Sequence, residues 1–227
     1  MHQSYSKIFY AWQRAGSWHS ARRILPIVFN AVQPRSVVDV GCGVGTWLDV
    51  ARSLGAHDAL GYEGAWVKAL PAAYHGLAIE AADLEHPLRS GRSFDLAMSM
   101  EVAEHLSPAR ADSFVADLVA LAPHVLFSAA VPGQGGNNHV NEQWQSFWAD
   151  RFAAHGYGPR DIVRGAVRHD RSIAYWYRQN TVLYSRGYPL ERPADFDHIH
   201  PEHTAWYRLI HRRLTESLRP GTLLRPS

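Results

Sequence analysis

Short β-branched and apolar runs alternate with stretches of helical periodicity along most of the chain. Tyr5 to Gln13 and Ser20 to Val32 predict two helices before the first strand, and Tyr5, Phe9 and Trp12 fall on one face of the first. Ser36 to Val40 predicts a short strand that runs into glycines, and Thr46 to Ser53 a helix. Strands are expected at Asp58 to Tyr62, Leu77 to Ala81, Phe94 to Met100 and His124 to Val131. The fourth is apolar on both faces, as a central parallel strand should be. Ser107-Pro108 starts a helix that runs to about Leu121. Glu142 to His155 is expected to be helical, with Trp144, Phe147, Trp148 and Phe152 sharing a face. Ile162 to Val167 and Ile173 to Tyr184 are expected as a final antiparallel strand pair. The alternation predicts an α/β fold: a Rossmann-like, doubly wound, mostly parallel seven-stranded sheet. Residues 1–32 form an N-terminal helical cap in this reading and 33–187 the binding domain. Residues 188–227 form a short C-terminal appendage with a helix at His203 to Leu218. The cap and the appendage are candidates for a lid over a ligand or for a homodimer contact.

Composition changes little in this picture. The 227 residues are 46% hydrophobic, enough for a sizeable core, and the formal charge of +2 gives no reason to invoke nucleic acid. A local basic bias exists from Thr204 to Ser227, with five Arg against one Glu, and reads as a solvated helix face or a weak contact surface for an acidic partner. Cys42 is the only cysteine, which excludes an internal disulfide and a thiolate metal cluster. No run approaches 18 apolar residues and no signal peptide is evident, so the expectation is a cytoplasmic protein without a membrane span.

The chemistry concentrates at strand ends. Asp39-Val40-Gly41-Cys42-Gly43-Val44-Gly45 leaves a strand and enters a helix. Glycines there let the backbone turn tightly and let a cofactor lie against bare main chain. Glu63 lies 22 residues beyond Gly41 at the end of the second strand, where a carboxylate accepts hydrogen bonds from ribose hydroxyls. Asp83 follows the third strand and Glu101 the fourth. Open α/β sheets bind ligands in the crevice at these carboxyl ends.

With these residues assembled, the chain resembles the class I S-adenosylmethionine (SAM)-dependent methyltransferases over roughly Ala21 to Tyr184. The segment Asp39-x-Gly41-x-Gly43-x-Gly45 is similar to their first motif, and Phe94-Asp95-Leu96 through Glu101-Val102-Ala103-Glu104-His105-Leu106 to their fourth-strand motif. The resemblance implies SAM as cofactor, with Asp39 and the glycine loop at its methionine end, Glu63 on the ribose and Asp83-Leu84 on the adenine. A redox dinucleotide enzyme is disfavoured by Gly-x-Gly-x-Gly in place of Gly-x-Gly-x-x-Gly. An amino-methylating nucleic-acid enzyme would carry an Asn/Asp-Pro-Pro-Tyr motif, which is absent after the fourth strand.

Two further stretches resemble a bacterial small-molecule subgroup: Phe127 to Trp144, with the loop Pro132 to His139, and Trp176-Tyr177-Arg178-Gln179-Asn180. The loop is expected to form a reaction-pocket wall, with Asn138 and His139 as polar groups. His105 and His139 are candidate general bases. Aromatic residues, among them Tyr5, Tyr10, Trp12, Trp144, Trp148, Tyr175 and Tyr177, are candidates for a cage around a sulfonium, with Tyr175 and Tyr177 on one strand face. His198-Ile199-His200, Glu202 and His203 have a metal-like composition without a recognised ligand spacing, and no metal site is expected.

The resemblance implies methyl transfer to a small polar acceptor in natural-product or glycan biosynthesis. It also admits cyclisation of SAM to azetidine-2-carboxylate and methylthioadenosine, with Asn138, Tyr175 and Tyr177 as the site residues. A non-catalytic SAM-binding protein is a third reading. The intact glycine loop and acidic set argue against it.

Overall fold

In the computed structural model, residues 7–69 and 76–204 are described; for 7–15 and 68–69 this covers the backbone only. Tyr5, the side chains of Tyr10 and Trp12, and the chain beyond residue 204 lie outside that range. This includes most of the basic C-terminal stretch and of its expected helix.

Seven strands form one sheet: β1 Ser36–Val40, β2 Asp58–Glu63, β3 Ala78–Ala81, β4 Leu96–Met100, β5 His124–Ser128, β6 Tyr157–Arg160 and β7 Val182–Arg186. Their spatial order is β3-β2-β1-β4-β5-β7-β6. The pairs β1–β2, β2–β3, β1–β4 and β4–β5 are parallel, and β7 runs antiparallel to both neighbours. This is the expected Rossmann-like architecture. The order reverses between β1 and β4, the kind of switch point at which open α/β sheets bind ligands.

Helices α1 Lys7–Val32, α2 Thr46–Ser53, α3 Ala111–Leu121, α4 Gln145–Ala154, α5 Arg164–Val167 and α6 Tyr175–Asn180 cover the two faces. Each central strand sends alternate side chains to opposite cores. On β5, Val125 and Phe127 join one core with Phe114, Leu118, Trp148 and Phe152, while Leu126 joins the other with Ile24, Leu25, Leu48 and Met98. Both faces are dry, so the strands read as continuous apolar runs.

Three expectations need correction. The two N-terminal helices are one, because only Gly16 interrupts the helical pattern between them and a single glycine costs about 1 kcal/mol. The strand expected at Ile162 to Val167 is the short helix α5, and the strand is Tyr157–Arg160 instead. It tolerates Pro159 because it is an edge strand. Ile173 to Tyr184 is not one strand but α6 followed by β7. Tyr175 and Tyr177 therefore sit two apart on a helix and do not share a face. The helical face expected of α4 also holds only in part. Trp148 and Phe152 are fully buried, whereas Trp144 precedes the helix and is exposed.

The starts of β1 and β4 are tied by Asp95. Its Oδ2 accepts from the amides of Arg35 (2.8 Å) and Ser36 (2.9 Å) and from the Ser36 hydroxyl (3.0 Å). Partial burial opposes the charged form, but these donors outweigh it and hold the carboxyl below its usual pKa. The contribution is present at neutral pH and is lost as pH falls through the depressed value. Asp95→Ala is expected to cost about 1 kcal/mol, discounted for exposure, and to remove part of the acid sensitivity. Urea titrations at pH 7 and pH 3 check this, and an equal cost at both would contradict it.

Candidate functional site

The site is built on the loops after β1, β2, β4 and β5. The β1 loop turns on Gly41 (φ 83°), Gly43 (φ 58°) and Gly45 (φ 80°), all left-handed. Gly41 has no room for a side chain: a Cβ there would lie 2.4 Å from Cγ2 of Val102. Gly45 caps α2.

Asp39 is 1% exposed at the end of β1, and its Oδ2 has no hydrogen-bond partner. Burial, and then the nearby Glu63 charge, push its carboxyl up to about 8. Glu63 turns back on the glycine loop. One oxygen accepts from the Gly43 amide (2.7 Å), the other from the Gly64 amide (2.7 Å) and the Trp66 indole (3.2 Å). Asp83 is exposed beside His86 and accepts from the Glu85 amide, and Leu84 is buried.

Glu101 follows β4 in a left-handed conformation (φ 57°), which is strained for a non-glycine residue. Its carboxylate accepts from the Ser128 hydroxyl, from Asn180 Nδ2 (3.0 Å) and from Gln134 Nε2 (2.8 Å). Sequence reasoning missed Ser128, Gln134 and Asn180 as a set, because they come from β5, the following loop and α6. Next to Glu101 stands Glu104, fully buried, with no hydrogen-bond partner on either oxygen. Burial first, and then the Glu101 charge, raise its pKa well above the ordinary value. None of the described ion pairs includes Asp39, Glu63, Glu101 or Glu104.

The loop after β5 is ordered by a residue that the sequence left unassigned. Glu142 accepts from the amides of Gly133 (2.8 Å) and Gly135 (2.7 Å) and pairs with His139 Nδ1 (2.8 Å). The carbonyl of Glu104 accepts from the amides of Val140 (2.9 Å) and Asn141 (3.0 Å), which brings this loop against the β4 loop. His105 and His139 meet edge to face at 4.9 Å. His105 keeps an accessible edge, while desolvation of its ring and the neighbouring His139 lower its pKa. Asn138 is exposed in a left-handed turn, φ 60°.

The two tyrosines diverge. Tyr175 lies 5.8 Å from the His203 ring, and its pKa is raised by burial and by Glu101 and Glu142. Tyr177 is buried against Trp47 of α2 at 5.2 Å and bonds the Ser17 hydroxyl at 3.3 Å. Burial pushes its phenol up to about 12. Trp148 belongs to the core and Trp144 to the surface. The histidines of the appendage contact different partners. His198 meets Arg164, His200 meets Arg178 and the Arg168 carbonyl, and His203 meets Gln179 and the Gly133 carbonyl.

A model of the methyltransferase domain family matches residues 10–164. The chain belongs to that family and to the class I SAM-dependent methyltransferases. Similar solved structures include the sugar N-methyltransferase KedS8 from Streptoalloteichus sp. ATCC 53650, with 14% identity, 82% of this chain and 95% of that chain covered, and TM-score 0.59. SAM-bound CalS10, an amino pentose methyltransferase from Micromonospora echinaspora involved in calicheamicin biosynthesis, has 16% identity, 82% and 99% coverage, and TM-score 0.59. The magnesium protoporphyrin IX methyltransferase ChlM from Synechocystis PCC 6803, with bound SAM, has 18% identity, 82% and 86% coverage, and TM-score 0.54. At these identities the likeness is one of fold. A search among curated proteins finds no match.

SAM is the methyl donor of this class, and the residues present fit it. Gly41, Gly43 and Gly45 offer bare main chain, and Asp39 keeps a buried, unpartnered oxygen beside them. Among the described residues, no helix is long and apolar enough to cross a membrane.

Proposed function

We propose that this protein transfers the sulfonium methyl of SAM to a hydroxyl or amine of a small polar acceptor. The observation that carries the reading is the acidic set at the carboxyl ends of β1, β2 and β4. None of the described ion pairs includes Asp39, Glu63 or Glu101, so these strand ends favour a cationic ligand. SAM, when bound, supplies an electrophilic methyl group and leaves as S-adenosylhomocysteine.

The chain's part is to hold and orient. Asp39 and the glycine loop take the methionine end, Glu63 the ribose and Leu84 the adenine, with Asp83 beside it. Reaching the ribose requires Glu63 to exchange one of its present amide contacts. Tyr175, Asn138, His105 and His139 stand on the acceptor side. Among the similar folds are two enzymes named for sugar or amino pentose substrates, which supports a small polyhydroxylated or amino-bearing acceptor in biosynthesis. Cyclisation of SAM to azetidine-2-carboxylate is the competing reading. The divergence of Tyr175 from Tyr177 does not favour it.

Incubation of the purified protein with SAM alone, followed by mass spectrometry, is expected to give no methylthioadenosine. Adding amino sugars and glycosides is expected to give a product heavier by one methylene, with S-adenosylhomocysteine. Methylthioadenosine with a cyclic amino acid, formed without any acceptor, would overturn the reading.

A further inference from the structure

We propose that Glu104, His105 and His139 bind a divalent first-row transition-metal cation at the mouth of the crevice. Each offers one ligand atom, and the three atoms lie within 4.8 Å of one another. Metal–nitrogen and metal–oxygen bonds of about 2.0–2.2 Å need separations somewhat shorter than this, which side-chain rotation supplies.

The second observation is the state of Glu104. A fully buried carboxyl with two unpartnered oxygens is costly, and no described cation pairs with it. Glu101 beside it is already engaged by Ser128, Gln134 and Asn180. A divalent cation would give the buried Glu104 oxygens a partner.

His139 is also held in the way metal-ligating histidines are held. His139 Nδ1 bonds Glu142 at 2.8 Å, which leaves Nε2 as the ligand atom. The His105 ring meets that of His139 edge to face at 4.9 Å and keeps an exposed edge. Gly136 makes room for the His139 ring, because a Cβ there would lie 2.2 Å from Nε2.

One carboxylate and two imidazoles favour Mn²⁺, Fe²⁺, Co²⁺, Ni²⁺ or Zn²⁺ over Mg²⁺ or Ca²⁺. Three protein ligands leave coordination positions open. They open outward, since burial falls from Glu104 through His139 to His105. A water or an acceptor oxygen takes those positions. This use of the metal rests on the methyl-transfer reading, whereas its binding does not.

The experiment is isothermal titration of the chelator-stripped full chain with Mn²⁺ and with Zn²⁺. SAM binding is measured on the same samples, so that failure of the metal site and failure of the SAM reading are told apart. One equivalent of metal is expected, with affinity lowered at least tenfold in each of His105→Ala, His139→Ala and Gly136→Ala. Gly136→Ala crowds Nε2 without removing a ligand. Because Glu104→Gln alters a buried group, circular dichroism accompanies every variant. Pulsed electron paramagnetic resonance of the Mn²⁺ complex is expected to show coupling to imidazole nitrogen. No binding of either metal, or unchanged affinity in either histidine variant, overturns the proposal.

Discussion

Asp39→Asn is expected to weaken SAM binding by two orders of magnitude or more and to flatten the pH dependence of the ligand-free chain's stability. Asp39 is fully buried, and its pKa is raised to about 8 by burial and then by Glu63. An unfolded aspartate titrates near 3.9, so between roughly pH 4 and pH 8 the folded chain holds a proton that the unfolded chain has lost. The stability linked to that proton is complete below about pH 4 and disappears as pH rises through 8. A cationic ligand reverses the preference, because it favours the ionised carboxylate. Binding therefore releases a proton, and wild-type affinity rises with pH up to about 8. Asparagine cannot titrate, so both dependences weaken together. Thermal unfolding and calorimetric SAM titration at pH 6, 7 and 8, wild type against variant, measure both. Parallel slopes in the two proteins would show that Asp39 is not the titrating group.

Gly41→Ala is expected to abolish measurable SAM binding and to destabilise the chain by roughly 2–4 kcal/mol. The residue sits at φ 83°, and the added methyl would fall 2.4 Å and 2.8 Å from the two γ-carbons of Val102. Left-handed strain and overpacking each cost about 1–3 kcal/mol. Gly43→Ala is the informative partner. It is also left-handed, at φ 58°, but nothing lies within 4 Å of its added Cβ. Its fold is expected to lose only about 1–2 kcal/mol. A loss of SAM affinity greater than tenfold in a well-folded Gly43→Ala protein places the cofactor against this backbone. Unimpaired binding in that variant would remove Gly43 from the site.

The parallel core was legible to within a few residues at the strand ends. The strands at Ser36, Asp58 and His124 begin where the β-branched and apolar runs begin, and α2 spans the expected Thr46–Ser53. The glycine loop was legible because its cause is local: a sharp turn out of a strand requires glycine conformations wherever it occurs. The last third was less so. Tyr175, Trp176 and Tyr177 have strand propensity, but tertiary contacts make their segment helical. Tyr177 packs on Trp47, Arg178 bonds Glu202, and Gln179 accepts from the His200 amide at 2.6 Å. The edge strand β6 was hidden by Gly158-Pro159, which reads as a turn. Gly158 is there because the Pro189 carbonyl would lie 2.0 Å from any Cβ.

The candidate site divides along the same line. Asp39, the glycines, Glu63 and Glu101 follow from strand ends, since a parallel sheet brings all its carboxyl ends to one edge. Glu101 was visible in this way, but its partners Ser128, Gln134 and Asn180 were not. The meeting of Glu104 and His105 with His139, more than thirty positions away, depends on the Glu104 carbonyl holding the amides of Val140 and Asn141. Periodicity and turn chemistry act between neighbours in sequence, so the sequence by itself determined the parallel part of the sheet and the edge that carries the candidate site. Which side chains converge there was decided by packing and hydrogen bonds between loops distant in the chain, which no local pattern encodes.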